Sequence, residues 1–90
     1  MKTIYKYQLR SVGIQTVAMP KDAVILSCQA QKGIPCVWAL VNTQNINTIR
    51  AFQVTLTGSH ADILPTSIHI GTVLLEEGNF VVHVFDEGER

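Results

Sequence analysis

Few side chains in this 90-residue sequence are of a type and spacing that could hold or transform a ligand. His60 and Asp62 stand two apart in the glycine-flanked stretch GSHADIL. An imidazole and a carboxylate at that spacing could grip a ligand hydroxyl or pass a proton. The same two residues could equally do no more than order their own loop, Asp62 serving as a turn or cap residue. Arg50 follows an amide-rich stretch, where a guanidinium could take a phosphate or carboxylate with two parallel hydrogen bonds. Tyr5 and Tyr7 are two apart in an extended segment, so their rings fall on one face and could form a stacking platform or simply pack. His69 and His83 lie between isoleucines and valines, positions that suit half-exposed sheet residues better than ligands.

Catalysis needs a nucleophile, a base and a group that orients the base. The sequence contains no phosphate-cradling glycine loop, no paired-carboxylate spacing and no G-x-S-x-G elbow, which argues against an enzyme. Cys28 and Cys36 flank an expected hairpin turn and could face one another, yet a reducing compartment favours buried free thiols. With no C-x-x-C pair and no His-x-His cluster beside them, neither a metal nor another cofactor is expected.

The elements that must position these groups are strands. Apolar residues recur with a period of two or in short β-branched runs, and no window carries a 3.6-residue stripe. The predicted strands are Ile4 to Leu9, Gln15 to Met19, Ala23 to Gln31, Pro35 to Asn42, Ile49 to Thr57, Ser67 to Leu75 and Phe80 to Phe85. The third reads as central, with Val24, Leu26, Cys28 and Ala30 on one face. Lys32 and Gly33 close a hairpin onto CVWALV, which is apolar on both faces and therefore calls for cover on both sides. Trp38, Leu40, Cys28, Cys36 and Phe52 are the expected core, with base stacking as the other use of Trp38. The fifth strand alternates Phe52, Val54 and Leu56 inward with Gln53, Thr55 and Thr57 toward water. Residues 59–64 form either one helical turn capped by Ser59 or a loop. EEGN joins the last two strands, and the charged tail DEGER is expected to fray. The fold class is all-β, an antiparallel sandwich or small barrel of six to seven strands, in one domain over residues 1–90.

Seven basic and seven acidic side chains give zero net charge, so no long-range field favours duplex nucleic acid. Hydrophobic residues make up 47% and charged residues 16%, a balance that leaves a largely neutral surface and favours a homo-oligomer. Polar residues interrupt every apolar pair of MKTIYKYQLR, so neither a leader nor a membrane span is expected, and the expected location is the cytoplasm.

The opening MKTIYKYQL, the block MPKDAVILSCQAQKGIPCVWALV, the F-x-x-x-x-T-G-S-H turn and the closing FVVHVFDE resemble a family of small uncharacterised proteins encoded by tailed phages and prophages. The match spans nearly the whole chain and is carried by Met19, Pro20, Lys21, Pro35, Cys36, Trp38, Gly58, His60 and His83 to Phe85. Ser59 directly before His60, with Ala61 and Asp62 after it, departs from that pattern. The resemblance implies phage origin and a compact β fold, and brings no catalytic residue. Phage accessory proteins of this size commonly act against host defence. The resulting expectation is a non-enzymatic, oligomeric protein in the bacterial host cytosol that sequesters a small nucleotide-derived immune signal, with His60, Asp62, Arg50, Tyr5 and Tyr7 as contacts. The alternatives are a protein that blocks a host defence enzyme through a neutral sheet face, or a minor virion component.

Overall fold

A computed structural model describes residues 1–90 as seven strands in two antiparallel sheets. They are β1 (Lys2–Gln8), β2 (Gly13–Pro20), β3 (Val24–Gln31), β4 (Ile34–Asn42), β5 (Asn47–Leu56), β6 (Ile68–Leu75) and β7 (Phe80–Glu89). One sheet runs β1-β4-β3 and the other β2-β5-β7-β6, and no barrel closes. The two sheets pack as a sandwich over a seam of small β-branched residues. Val37, Ala39 and Val41 of β4 meet Phe52 and Val54 of β5, Val82 and Val84 of β7, and Met19 of β2. This is the period-two pattern at work: every second residue of each central strand enters the seam.

Two connections are fixed by backbone conformation. Lys32 and Gly33 both take positive φ, 54° and 76°, the paired left-handed geometry that lets a two-residue turn follow the twist of its strands. Between β6 and β7, Glu76, Glu77 and Gly78 all have positive φ in a single 3-10 turn. A buried glutamine secures the β1–β2 connection. Gln15 accepts from the Arg10 amide at 2.6 Å and donates to the carbonyls of Arg10 and Gly13, at 3.2 and 3.3 Å.

The structure corrects several expectations. β3 is an edge strand, not a central one, and a bulge between Ile25 and Ser27 changes which residues face inward. Ile25 and Cys28 pack on the seam, whereas Val24, Leu26 and Ala30 are exposed. The outward face of β5 is not wet, because Gln53 and Thr55 are buried. Residues 59–64 are a loop without a helical turn. The acidic tail does not fray: β7 continues to Glu89, pairing with β5, and Asp86 and Glu87 are both buried. Phe52 is in the core as expected, but Trp38 and Leu40 are only half-buried and lie on the outer face of their sheet. Cys28 is opposite Val37 on the inner face, while Cys36 is opposite Gln29 on the other, so the two free thiols point to opposite sides of one sheet.

The sheets approach most closely where β3 lies over β6. A Cβ added at Gly71 would fall 2.9 Å from the Cys28 sulfur, inside the contact limit, so glycine there sets the sheet separation. Gly71→Ala is expected to lower stability by about 1–3 kcal/mol, as overpacking does. Cys28→Ala in the same chain is expected to return most of that loss. Urea unfolding of the two single variants and the double variant measures the coupling.

Candidate functional site

Arg50 and Asp86 form the one buried pair of opposite charges that faces the seam. Arg50 enters from β5 opposite Val17 of β2, and Asp86 from β7 opposite Ile68 of β6. The guanidinium donates through Nε to Asp86 Oδ1 at 3.0 Å and through Nη2 to Oδ2 at 2.6 Å, a two-point match of planar fork and carboxylate. Nη1 donates to the Ala23 carbonyl at 2.9 Å, immediately before β3 in the other sheet. Only 14% of the arginine side chain and 8% of the aspartate side chain remain exposed. Gly88, at φ 87°, turns its amide back onto Asp86 Oδ1 at 2.9 Å, across the bulge that carries Glu87.

Burial pushes the Asp86 carboxyl up, but the hydrogen bonds from Arg50 and Gly88 and the charges of Arg50 and Arg90 outweigh it. The group therefore titrates below the usual carboxylate range. The bond to Asp86 raises Arg50 further, against the opposing effect of burial.

This pair is the floor of a cleft of about 450 Å³ that opens between the β3 and β6 edges. Its walls are Val24, Ile25 and Leu26 on one side and Ile68, His69 and Ile70 on the other. Two bulges make the opening: the one in β3 after Ile25, and one in β6 between His69 and Gly71. The result is an apolar slot with convergent polar groups at its base, in the size range of small-molecule sites of about 300–1,000 Å³.

The other residues predicted to bind a ligand lie elsewhere. Tyr5 and Tyr7 sit edge to face, their ring centroids 6.5 Å apart, and line a separate cleft with Met19, Pro20 and Asn47 between β1 and β2. His60 and Asp62 do come together, at 3.6 Å, but their side chains are 86% and 88% exposed. Water surrounds that pair, and no wall excludes it. Of the five residues, only Arg50 belongs to the β3/β6 cleft.

Asp86 and Glu87 escaped the sequence reading. Glu87 lies under the 57–67 loop, where Ser67 donates to it at 3.1 Å and Gln53, its amide oriented toward the carboxylate, donates at 3.0 Å. Arg90 is 3.9 Å from its other oxygen. The available signal was Gly88: a glycine in an acidic tail marks a bulge as readily as an end. His69 and His83 are sheet residues as expected, and His83 is held between the hydroxyls of Thr57 and Thr72 at 2.8 and 3.1 Å.

A second feature is the outer face of β1-β4-β3. Ile4, Leu40 and Val24 form one row across all three strands, with Trp38 in the next row. Ile4, Val24 and Leu26 are 55%, 54% and 48% exposed. The apolar cover that CVWALV calls for on both sides is present on the inner side only.

Fold and cleft together define a small β-sandwich domain with its most enclosed polar groups at one edge. The chain belongs to the DUF7352 family, a domain of unknown function, which it matches over residues 1–90. No curated protein and no solved structure matches it.

The depressed Asp86 titration sets an acid limit on stability. Its contribution is complete above the unfolded carboxylate value of about 4 and is lost as pH falls through the lower folded value. The urea midpoint is expected to decline as pH falls below about 4, and Asp86→Asn is expected to be less stable at neutral pH while losing most of that slope. Arg50→Met, which strands the carboxylate, is expected to cost about 3 kcal/mol at pH 7. Urea titrations across this range read all three effects.

Proposed function

We propose that this protein is a non-enzymatic binding protein of phage origin, acting in the host cytosol, that captures a small nucleotide-derived signal in the β3/β6 cleft. The observation that carries the reading is the Arg50–Asp86 floor beneath apolar walls. Two Arg50 hydrogen bonds go to Asp86 and one to Ala23, which leaves one N–H on each terminal nitrogen for a ligand. Beside the carboxylate oxygens, these offer donors and acceptors together, the pattern that a nucleobase edge matches. Ile25, Ile68 and Ile70 supply apolar surface for the base, while the His69 ring packs against Phe85 and His83 on the outer face of its sheet.

The floor is charge-balanced, so it suits a neutral base better than a phosphate, and the anionic part of such a ligand belongs at the open mouth. The contact set is accordingly Arg50, Asp86, Ile25, Ile68 and Ile70. Tyr5, Tyr7, His60 and Asp62 have no place in it.

The absence of turnover in this reading has positive support. Both buried carboxylates are held in hydrogen bonds, Asp86 by Arg50 and Gly88 and Glu87 by Ser67, and the ion pair keeps Asp86 a weak base whose Oδ2 can still accept from a ligand, which disfavours general-base chemistry.

A second reading, a protein that blocks a host defence enzyme, is favoured by the exposed row Ile4, Leu40 and Val24 with Trp38 beside it. Aromatic and aliphatic anchors of this kind dominate protein interfaces.

Isothermal titration against nucleosides, cyclic dinucleotides and cyclic ADP-ribose isomers tests the first reading. At least one member is expected to bind, and Ile68→Lys at the mouth is expected to weaken it at least tenfold with the fold intact. No heat with any member overturns the ligand reading.

A further inference from the structure

The charged residues are divided between the two layers in a way that zero net charge conceals. The β1-β4-β3 layer carries Lys2, Lys6 and, in its hairpin turn, Lys32, with no carboxylate. The β2-β5-β7-β6 layer, with its 57–67 loop, its 3-10 turn and its C-terminal end, carries six of the seven carboxylates together with Arg50 and Arg90. Arg10 of the β1–β2 connection also reaches this layer, donating to the Ile14 carbonyl at 2.9 Å. Arg50 and Arg90 are engaged within the layer, with Asp86 and Glu87. Asp62 on the loop and Glu76 and Glu77 in the turn at one end are exposed. The exposed charge of one layer is therefore basic and that of the other predominantly acidic.

Both sides are also apolar. On the basic side the register places Lys2, Ile4 and Lys6 opposite Asn42, Leu40 and Trp38, so the lysines flank the exposed row. Lys6 reaches Gln31 on β3, across the intervening β4. On the acidic side, Ile14, Ile63, Leu64 and Leu74 are exposed large apolar residues. Ile14 is opposite Gln53 and Leu74 opposite Val81, which puts both on the outer face.

We infer that a second copy of this chain covers the outer face of β1-β4-β3 with the outer face of its own β2-β5-β7-β6 sheet. The contact is then head to tail, joining unlike surfaces. Charge selects this arrangement over a two-fold one: pairing the basic faces would set Lys2 and Lys6 against their own copies, whereas unlike faces oppose lysine to carboxylate. Area permits it. The Cα extents are 40 × 29 × 15 Å, so the broad faces exceed the roughly 800 Å² per partner of a standard interface. Unlike-face contacts repeat until a rotation closes them into a ring, or continue as a filament. The inference is independent of any ligand in the β3/β6 cleft.

Complementation between two blocked copies tests it. Ile4→Glu spoils the basic face, and Leu74→Lys spoils the acidic one; both sites are exposed, and circular dichroism confirms that each variant keeps its sheet. By sedimentation velocity, the unmodified chain is expected to associate with rising concentration and to dissociate in high salt. Each variant alone is expected to be monomeric, and their mixture to form a one-to-one dimer that does not grow further. Val24→Glu, on another strand of the basic face, is expected to replace Ile4→Glu in every step. A monomeric unmodified chain at about 100 µM, well above the micromolar range of a weak specific complex, overturns the inference. So does a Leu74→Lys variant that still self-associates, because that result assigns the contact to two copies of the basic face.

Discussion

The sandwich depends on a charged clasp at the end where its apolar seam runs out. Arg50 is anchored in one sheet, neutralised by Asp86 of the same sheet, and bonded through its remaining terminal nitrogen to Ala23 at the entrance to the other. An apolar side chain could fill that space, but it could not satisfy the Ala23 carbonyl. Taking either charge from water is costly, and only a partner of matching geometry offsets the loss. Here the match has two bonds in the plane of the guanidinium, plus the Gly88 amide on the carboxylate. Removing one member therefore leaves the other stranded. That makes the clasp a constraint on the whole end of the molecule, including the width of the cleft above it.

The bulges belong to the same design. β3 and β6 are the neighbouring edges of the two sheets, held close at Cys28 and Gly71 and spread apart at Val24 and Ile68. Each edge carries its irregularity at the transition, after Ile25 in one and after His69 in the other. A bulge bends and twists its strand, so two facing bulges convert a closed seam into an open mouth within a few residues. They also interrupt the edge hydrogen-bond ladder, which protects both edges from pairing with another strand.

Strand number, strand order along the chain and the Lys32-Gly33 hairpin were legible because they rest on local rules: alternation, turn residues and strand length. Phe52 and the inward set of β5 followed from the same alternation. What failed is non-local. Plain alternation puts Val24 and Leu26 on one face with Cys28, and a bulge that no residue type announces separates them. Gln53 and Thr55 were placed in water because nothing in their strand reveals that the 57–67 loop lies over them. The tail DEGER was read as frayed because five polar residues look unable to pay for order; their partner Arg50 is 36 positions away. The site suffered most. Arg50 was singled out for its capacity to bind an anion, and that capacity is spent on Asp86. Tyr5, Tyr7, His60 and Asp62 were grouped by chemistry, and the topology distributes them over different parts of the surface.

Composition misled in a related way about the surface as a whole. Equal numbers of acids and bases suggest a neutral exterior, but neutrality of a sum says nothing about its distribution. The order β1-β4-β3 gathers strands whose only charges are lysines, and the opposite sheet collects the acidic C-terminal half. A layered fold turns the uneven placement of charge along the chain into two layers of opposite balance. The cleft opens on neither of them. It lies at the β3/β6 edge, between the layers, so a copy stacked on a broad face leaves its mouth clear. The proposed assembly through the faces and the proposed capture at the edge thus make separate demands on the sequence. The faces require exposed apolar residues with segregated charge, and the edge requires bulges and a satisfied ion pair. The residues of the two surfaces are distinct, apart from Val24 and Leu26, which border each.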